Sequence, residues 1–374
     1  MINWIFISIC IVSILGCSGL NSQNTLGEMQ VTGQNNIMVK QYNLLHRFDV
    51  QEGSSLFGSS IVVGGDNIFI GDPGSGKIFS YSNNSGDLWE ESEVIAAPSD
   101  VKGFGHDLAL DGNTLIIGSY SRIQKEEGGV YEYRREAGIR EVARSDDAYI
   151  LGFSVAAHSG YVAYSRRERN DPAHQSGSVV VLRGNDLETF YSRAYPDYFG
   201  SSISLYGHNL FVLAPAVGDN GGAFSFDLRQ GAESIVQFSV PSSLGRANAA
   251  NEVLIFGGVC MISGAGSANQ LKSVVWRDCD PTDAEVVNAS GHISASNSIV
   301  AFSDIQAIPR FGITGPFSVD VYQSKNFEER VAEIMSTELE SSLTRNVAVS
   351  ESYLVVALVN AAGEAVLEIY ENEF

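Results

Sequence analysis

The hydrophobic pattern of this 374-residue chain is a short alternating motif that recurs along most of its length. The clearest copies are "LFGSSIVVGGDNIFIGDP" from Leu56, "GFGHDLALDGNTLIIGSY" from Gly103, "ILGFSVAAHSGYVAYS" from Ile150 and "YFGSSISLYGHNLFVLAP" from Tyr198. Each copy has a glycine, an alternating strand, a polar turn and a second apolar strand, which together predict a β-hairpin. Weaker copies begin at positions 243, 289 and 343, so the chain contains seven units.

Every unit continues with further strands of the same kind. In the first unit these are "GKIFSYS" and the more polar "LWEESEVIA", and the other units repeat this order. The marker positions of the units are Gly58, Gly105, Gly152, Gly200, Gly245, Gly291 and Thr344. Four short strands in a unit of about 47 residues are typical of a propeller blade. The sequence therefore predicts an all-β, seven-bladed β-propeller of four-stranded antiparallel blades.

The seventh unit lacks a fourth strand, because the sequence ends at Phe374 soon after the third. An alternating segment, "YNLLHRFDV" from Tyr42, precedes the first unit in the place of a fourth strand. We expect Tyr42–Val50 to lie alongside Glu364–Tyr370 and to close the ring, since an open sheet edge promotes aggregation. Two segments, 164–176 and 327–339, allow a short helix or loop as an alternative.

The repeats resemble the FG-GAP family, whose best-known members form the propeller of integrin α subunits. Phe57-Gly58-Ser59-Ser60 and Phe199-Gly200-Ser201-Ser202 match the first part of the family pattern. Gly71-Asp72-Pro73 and Leu213-Ala214-Pro215 are similar to its Gly-Ala-Pro part. The resemblance covers residues 42–374. It implies that ligands bind on the face that carries the inter-blade connections and the loops between second and third strands.

Many FG-GAP proteins hold calcium in the first hairpin turn, which requires several converging carboxylates. The corresponding turns here, such as "GGDN" and "LDGN", hold no more than one acidic residue each. An acidic residue beside Gly or Asn is ordinary hairpin-turn chemistry. We therefore predict no metal site and no cofactor.

The N-terminus reads as a targeting segment. Residues 1–16 are almost wholly apolar and uncharged, which indicates a signal peptide. The following "ILGC" resembles the bacterial lipobox, so Cys17 is the expected lipidation site; a plain cleaved signal is the alternative. Polar residues 17–39 read as a tether and 40–374 as the propeller. We expect a lipid-anchored envelope protein, with Ser18 favouring the outer membrane; secreted or periplasmic locations are the alternative.

Charge narrows the range of partners. With 44 acidic and 23 basic residues, the net charge is −21. Such a chain repels nucleic acids and anionic lipid, so we expect no nucleic-acid binding and membrane contact through the lipid anchor alone. We also expect a monomer.

Catalytic motifs are sparse. "GDPGSGKI" from Gly71 is most of a P-loop, but a P-loop needs a helix after its lysine, and Lys77 is followed by the strand pattern "IFSYS". His106 and Asp107 are adjacent, and strand alternation predicts that they point to opposite faces. The histidines are scattered at positions 46, 106, 158, 174, 208 and 292, and neither a His-Glu-x-x-His stretch nor a Gly-x-Ser-x-Gly elbow occurs. We therefore predict no catalytic residue and a non-enzymatic protein.

Cys260 and Cys279 are the remaining reactive candidates. The repeat register puts Cys260 in the loop after the second strand and Cys279 in the turn after the third, at opposite ends of the blade. A disulfide needs Cα atoms about 4.4–6.8 Å apart. The sequence therefore predicts two unpaired thiols.

A cluster of cations in neighbouring loops is the candidate ligand site. It consists of Arg122, Lys125, Arg166, Arg167 and Arg169, with Tyr195 and Tyr198 nearby as aromatic contact area. Solvated loop charge, partly balanced by Glu126, Glu127 and Glu168, is the alternative interpretation.

The functional prediction is a ligand-binding or adhesion-type propeller of the cell envelope. It would bind an extracellular or periplasmic protein or polysaccharide through the face that carries these loops. Two alternatives remain at this point: a propeller enzyme acting on an extracellular glycan or phosphoester, and a structural scaffold within an envelope complex.

Overall fold

A computed structural model gives the architecture. It describes residues 42–51, 53–54, 56–84, 88–120, 128–144, 148–168, 177–191, 198–217, 221–242, 252–267, 270–289, 293–296, 299–303, 317–323, 326–336, 343–359 and 364–371. The signal peptide, Cys17 and the tether lie outside these residues, so their assignment stays a prediction.

The described strands form seven antiparallel sheets of four strands each, which confirms the predicted seven-bladed β-propeller. Blade 1 consists of β2 Ser60–Gly64, β3 Asn67–Asp72, β4 Lys77–Asn83 and β5 Trp89–Ala96. Blade 2 consists of β6 Phe104–Asp111, β7 Thr114–Ser119, β8 Gly129–Arg134 and β9 Gly138–Arg144. Blade 3 consists of β10 Ala148–His158, β11 Tyr161–Glu168, β12 Ser178–Arg183 and β13 Asp186–Tyr191. Blades 4 and 5 are β14 Ile203–Tyr206, β15 Asn209–Ala214, β16 Gly222–Asp227 and β17 Val236–Ser239; and β18 Val253–Phe256, β19 Val259–Ser267, β20 Gln270–Arg277 and β21 Ala284–Val287. Blades 6 and 7 are β22 Ile293–Ala295, β23 Ile299–Ser303, β24 Phe317–Gln323 and β25 Asn326–Ser336; and β26 Leu343–Val349, β27 Tyr353–Val359, β28 Ala365–Glu371 and β1 Leu44–Val50.

The blades are arranged in a ring. The first strands of successive blades contact one another, and β26 contacts β2, so these strands surround the axis. The hydrophobic core is divided into seven clusters, one between each pair of neighbouring blades. Central strands such as β15 and β27 are buried on both faces, which explains their nearly continuous apolar sequences.

The N-terminal strand closes the ring as the sequence predicts. β1 pairs antiparallel with β28, from Leu44 opposite Tyr370 to Val50 opposite Ala365. Arg47 reaches the buried carboxylate of Glu368 at 3.2 Å, and the Tyr370 hydroxyl donates to the same carboxylate at 2.8 Å. Residues from both ends of the sequence are therefore joined within one sheet.

The marker glycines allow consecutive blades to approach closely. Gly105 and Gly152 have φ of +82° and +69°, a backbone conformation that residues with a side chain rarely adopt. A Cβ atom on Gly71 would lie 2.0 Å from the carbonyl oxygen of Gly105, and one on Gly118 would lie 2.3 Å from that of Gly152. Glycine is therefore needed on both sides of these two interfaces.

Side chains of the innermost strands bond to the next blade. Their backbone groups face the axis without a partner strand, and buried N–H groups need acceptors. Two carboxylates accept hydrogen bonds from backbone amides of the next blade: Asp107 from Val155 at 2.8 Å and Glu252 from Ile293 at 3.0 Å. Three serine hydroxyls do the same: Ser154 from Ile203 at 3.1 Å, Ser202 from Val253 at 3.2 Å and Ser294 from Val349 at 3.0 Å. These bonds fix the position of each inner strand relative to its neighbour.

Blade 5 contains a disulfide, so the prediction of unpaired thiols is wrong. Cys260 and Cys279 are bonded, with Cα atoms 5.0 Å apart. The sequence analysis assigned the strands of blade 5 one position too late, because Val253–Phe256 is the first strand of this blade and not the second. Cys260 consequently lies near the start of β19, and Cys279 follows the end of β20, at the same end of the sheet. Gly257 and Gly258, both with positive φ, form the hairpin turn that the sequence analysis placed earlier.

Neither of the two ambiguous segments is helical where it is described. Residues 164–168 belong to β11 and 327–336 to β25, and the remainder of both segments lies outside the described residues. Helical geometry in the described part is limited to the 3₁₀ turn Gly231–Ser234, which is far too short to span a lipid bilayer.

Candidate functional site

The antiparallel order of the strands determines which loops share a face. The inter-blade connections and the loops between second and third strands leave the disc on one side, here named the loop face. The turns between first and second strands and between third and fourth strands lie on the other side, here named the turn face. Arg166 and Arg167 lie near the end of β11, and Tyr198 precedes β14, so all three belong to the loop face.

Two of the predicted ligand-binding residues are in direct contact. The Arg167 guanidinium carbon lies 4.9 Å from the centre of the Tyr198 ring, within the range of a cation–π contact. Arg166, the preceding residue on β11, pairs with Leu151 of β10. Among the side chains that the structure describes, no carboxylate lies within ion-pair distance of Arg167. Arg122, Lys125, Arg169 and Tyr195 lie outside the described residues.

Tyr198 is held in an unfavourable backbone conformation. Its φ is +56°, in the left-handed region that bulky side chains rarely occupy. Gly103, which also stands two residues before its marker glycine, has φ +70°. Such strain costs on the order of 1–3 kcal/mol and is frequent at functional sites. The tyrosine ring is 49% exposed beside Arg167.

An aromatic cluster that the sequence analysis missed joins the first strands of blades 2 and 3 to the end of the second strand of blade 2. The rings of His106, Tyr120 and Phe153 pack against one another, with centroid separations of 5.4 Å (His106–Tyr120), 4.9 Å (His106–Phe153) and 5.1 Å (Tyr120–Phe153). All three side chains are half-buried. Aromatic residues at or near the marker glycines were the available signal.

Strand alternation fails at His106 and Asp107, because the pairing register shifts between Phe104 and Asp107. Both residues contact blade 3: the His106 ring contacts Phe153, and the Asp107 carboxylate accepts from the Val155 amide. The prediction of opposite faces, which assumed a regular strand, does not describe this bulge.

Asp107 is partly buried between blades 2 and 3, and it is ionisable near neutral pH. Burial raises its pKa to about 6, the charge of Glu252 acts in the same direction, and hydrogen bonds from Val155, Ser154 and Leu108 oppose the shift. A carboxyl with such a pKa exchanges a proton in the physiological range.

Other polar residues singled out from the sequence have structural roles. His158 accepts from the Gly207 amide at 3.1 Å, and His46 stacks on Phe48 at 5.0 Å. His174 and His292 lie outside the described residues. Asp72, within the P-loop-like stretch, accepts from the Ser54 amide at 2.6 Å. Lys77 begins strand β4 rather than a helix, as predicted.

Metal ligands do not converge in the described part of the chain. No group of three or more His, Cys, Asp or Glu side chains there has the proximity needed to hold an ion.

Comparison with known proteins gives structural neighbours only. No protein family model and no curated protein sequence matches the chain. The fold is shared with lyases. A streptogramin B lyase is 12% identical, with TM-score 0.58, covering 88% of this chain and 98% of its own. Virginiamycin B lyase from Staphylococcus aureus is 11% identical, with TM-score 0.57 and coverage of 88% and 99%. A catalytically inactive variant of that enzyme with Quinupristin has 11% identity, TM-score 0.58 and the same coverage.

These neighbours correct the prediction of a non-enzymatic protein. That prediction rested on the lack of a local catalytic motif, yet the similar solved structures are named as lyases. A propeller can gather catalytic side chains from separate blades, so a missing sequence motif does not exclude catalysis. Similarity at this level of identity shows the fold alone, and function depends on the site.

Proposed function

We propose that this chain is a cell-envelope propeller that binds an anionic protein or polysaccharide on its loop face, at Arg166, Arg167 and Tyr198. The observation that carries the proposal is the Arg167 guanidinium over the exposed Tyr198 ring at 4.9 Å. An arginine fork binds carboxylates through paired hydrogen bonds, and the tyrosine ring keeps it extended toward the ligand.

Charge supports the choice of an anionic ligand. The chain carries a net charge of −21, so an arginine without a carboxylate partner among the side chains that the structure describes is a local exception in charge. In the sequence, Arg122 and Lys125 follow β7 and Arg169 follows β11, so these cations of neighbouring loops would extend the positive region. A positive region on an otherwise acidic protein attracts an anionic ligand while the rest of the surface repels it, which favours specificity and correct orientation of the ligand.

The strain at Tyr198 also supports a binding role. Glycine at this position would relieve the positive φ, as Gly103 does in blade 2. A bulky residue that is kept in a costly conformation and half exposed is best explained by contact with a ligand. The N-terminal signal and lipobox resemblance support placement at the envelope.

The test is charge reversal on each face of the same blade. Binding of the purified full chain to polygalacturonate and to poly-L-glutamate is measured by calorimetry at low and physiological salt. We expect Arg167→Glu to weaken binding at least tenfold, since a charge-assisted contact contributes about 1.5–3 kcal/mol. Tyr198→Gly should weaken binding while leaving the melting temperature unchanged or higher.

Arg183→Glu is the matched control. Arg183 also lies 4.9 Å from a tyrosine ring, that of Tyr161, but on the turn face, and that ring is only 4% exposed. The control makes the same charge change in the same blade and should leave binding intact. The proposal is overturned if neither polymer binds, or if Arg167→Glu binds like the unmodified chain.

A propeller enzyme acting on an extracellular glycan or phosphoester is the second candidate. It is favoured by Asp107, whose pKa of about 6 suits proton transfer, beside His106 on the same bulge. New reducing ends in the polygalacturonate incubations, absent with Asp107→Asn, are the expected result for this candidate.

A further inference from the structure

We infer that the ligand is a carboxylated polysaccharide whose sugar rings lie on the His106, Tyr120 and Phe153 cluster while its carboxylates reach Arg166 and Arg167. This inference rests on the proposed function of the loop face. It adds a second contact surface, which distinguishes a glycan from an acidic protein.

The aromatic cluster and the arginines are joined through blade 3. Phe153 lies on β10 two residues beyond Leu151, which pairs with Arg166 of β11. The Ser154 amide also donates to the Ser165 hydroxyl at 2.9 Å, which ties the bulge of β10 to the end of β11. The rings are therefore fixed relative to the arginines rather than carried on independent loops.

The resulting strip crosses three blades. Tyr120 is in blade 2, Phe153 and Arg166 are in blade 3, and Tyr198 leads into blade 4. Packed sheets lie about 10 Å apart, so the strip is roughly 20 Å long. A surface of this length suits a polymer better than a single small molecule.

The chemistry of the strip matches an acidic sugar chain. The partly exposed residues of the cluster offer apolar surface for the C–H face of a pyranose, and such amphipathic contacts also tolerate the hydroxyl groups around it. The guanidinium groups match carboxylates in geometry and charge. An acidic peptide would use the arginines but would have no ring to place on the aromatic cluster.

The turn face contains a comparable cluster that is built differently. His158, Tyr206 and Phe256 pack with centroid separations of 5.0 Å (His158–Tyr206) and 5.2 Å (Tyr206–Phe256). There His158 accepts a hydrogen bond from the Gly207 backbone amide, and the nearby Arg183 covers the buried ring of Tyr161. That cluster holds turns together, so it supplies a control for the effect of removing an aromatic ring.

The experiment compares three polymers on the full chain: polygalacturonate, poly-L-glutamate and uncharged dextran. We expect polygalacturonate to bind at least tenfold tighter than either of the others. Tyr120→Leu and Phe153→Leu keep apolar volume but remove the ring, and each should weaken polygalacturonate binding about tenfold. Poly-L-glutamate binding should not change in these variants, and Tyr206→Leu should leave both unchanged.

The outcomes separate this inference from the proposed function. Equal binding of polygalacturonate and poly-L-glutamate, both weakened by Arg167→Glu, overturns the inference and leaves the proposed function standing. Dextran binding as tightly as polygalacturonate overturns the role of the carboxylates. An Arg167→Glu variant that binds normally overturns the proposed function. If the leucine variants lose both polymers through misfolding, the polymer preference of the unmodified chain decides the question alone.

Discussion

At the scale of single residues, Asp107 combines a structural role with an unfavourable ionisation. Its carboxylate links blades 2 and 3 through the Val155 amide, and burial raises its pKa to about 6. In the unfolded chain an aspartate has a pKa of about 3.9. Between these values the folded protein binds more protons than the unfolded one, so stability from this group falls as pH rises through about 6.

Replacing Asp107 by asparagine should remove this pH dependence. The two-unit difference corresponds to on the order of 3 kcal/mol. Relative to the unmodified chain, we expect Asp107→Asn to gain about that much unfolding free energy between pH 4 and pH 7.5, because the variant has no proton to lose. Urea unfolding at both pH values measures the difference, with Asp66→Asn, in an exposed turn, as the control. A stability difference that is the same at both pH values would contradict the assignment.

At the scale of elements, blade 5 is the blade with a covalent link in the described part of the chain. The Cys260–Cys279 disulfide joins residues 19 positions apart and connects the start of β19 to the turn beyond β20. Cys260 is fully buried against the interface with blade 4. The bond restricts the unfolded chain across a loop that spans most of a hairpin.

Removing the disulfide should destabilise the protein measurably. For a loop of this length the expected loss is about 3 kcal/mol, chiefly through the greater freedom of the unfolded chain. The Cys260→Ala/Cys279→Ala variant should therefore unfold at a lower urea concentration than the oxidised unmodified chain. Under reducing conditions the two proteins should approach one another. If their midpoints already coincide under oxidising conditions, the disulfide does not contribute as expected.

At the scale of the whole molecule, ring closure depends on a few residues at the front of the chain. Val50 is buried, Leu44 and Phe48 are partly buried, and Phe48 also packs on Tyr81 of blade 1 at 4.8 Å. Each apolar side chain contributes up to about 1.5–3 kcal/mol when fully buried. Together they are comparable with a whole folding free energy of about 5–15 kcal/mol.

Deleting residues 40–51 should therefore abolish the soluble monomer that we expect of the full chain. The deletion removes the partner of β28 and exposes its edge, which favours aggregation. Size-exclusion chromatography and thermal unfolding would show loss of the monomer peak and of a cooperative transition. A deletion of residues 18–39 alone is the control and should leave both unchanged. A soluble 40–51 deletion with unchanged melting would show that closure is not needed.

Much of the architecture could be predicted, and rather less of the candidate site. Of the seven predicted site residues, Arg167 and Tyr198 are in contact, and Arg166 precedes Arg167 on β11. The other four, Arg122, Lys125, Arg169 and Tyr195, lie outside the described residues. The cluster of His106, Tyr120 and Phe153 was missed because it depends on two bulges. The disulfide was missed because blade 5 does not keep the spacing of the other units.

The sequence by itself determined the number of blades, the order of strands in every blade except blade 5, and the strand that closes the ring. It could do so because each blade is a local, repeated unit whose periodicity is visible within about 50 residues. Only the tertiary structure decided which side chains meet between blades: Arg167 with Tyr198, Asp107 with Val155 and Cys260 with Cys279. These contacts depend on bulges, positive φ angles and loop lengths. A displacement of one residue turns a side chain to the other face of the sheet, and a displacement of one strand moves a residue such as Cys260 to the other end of the blade.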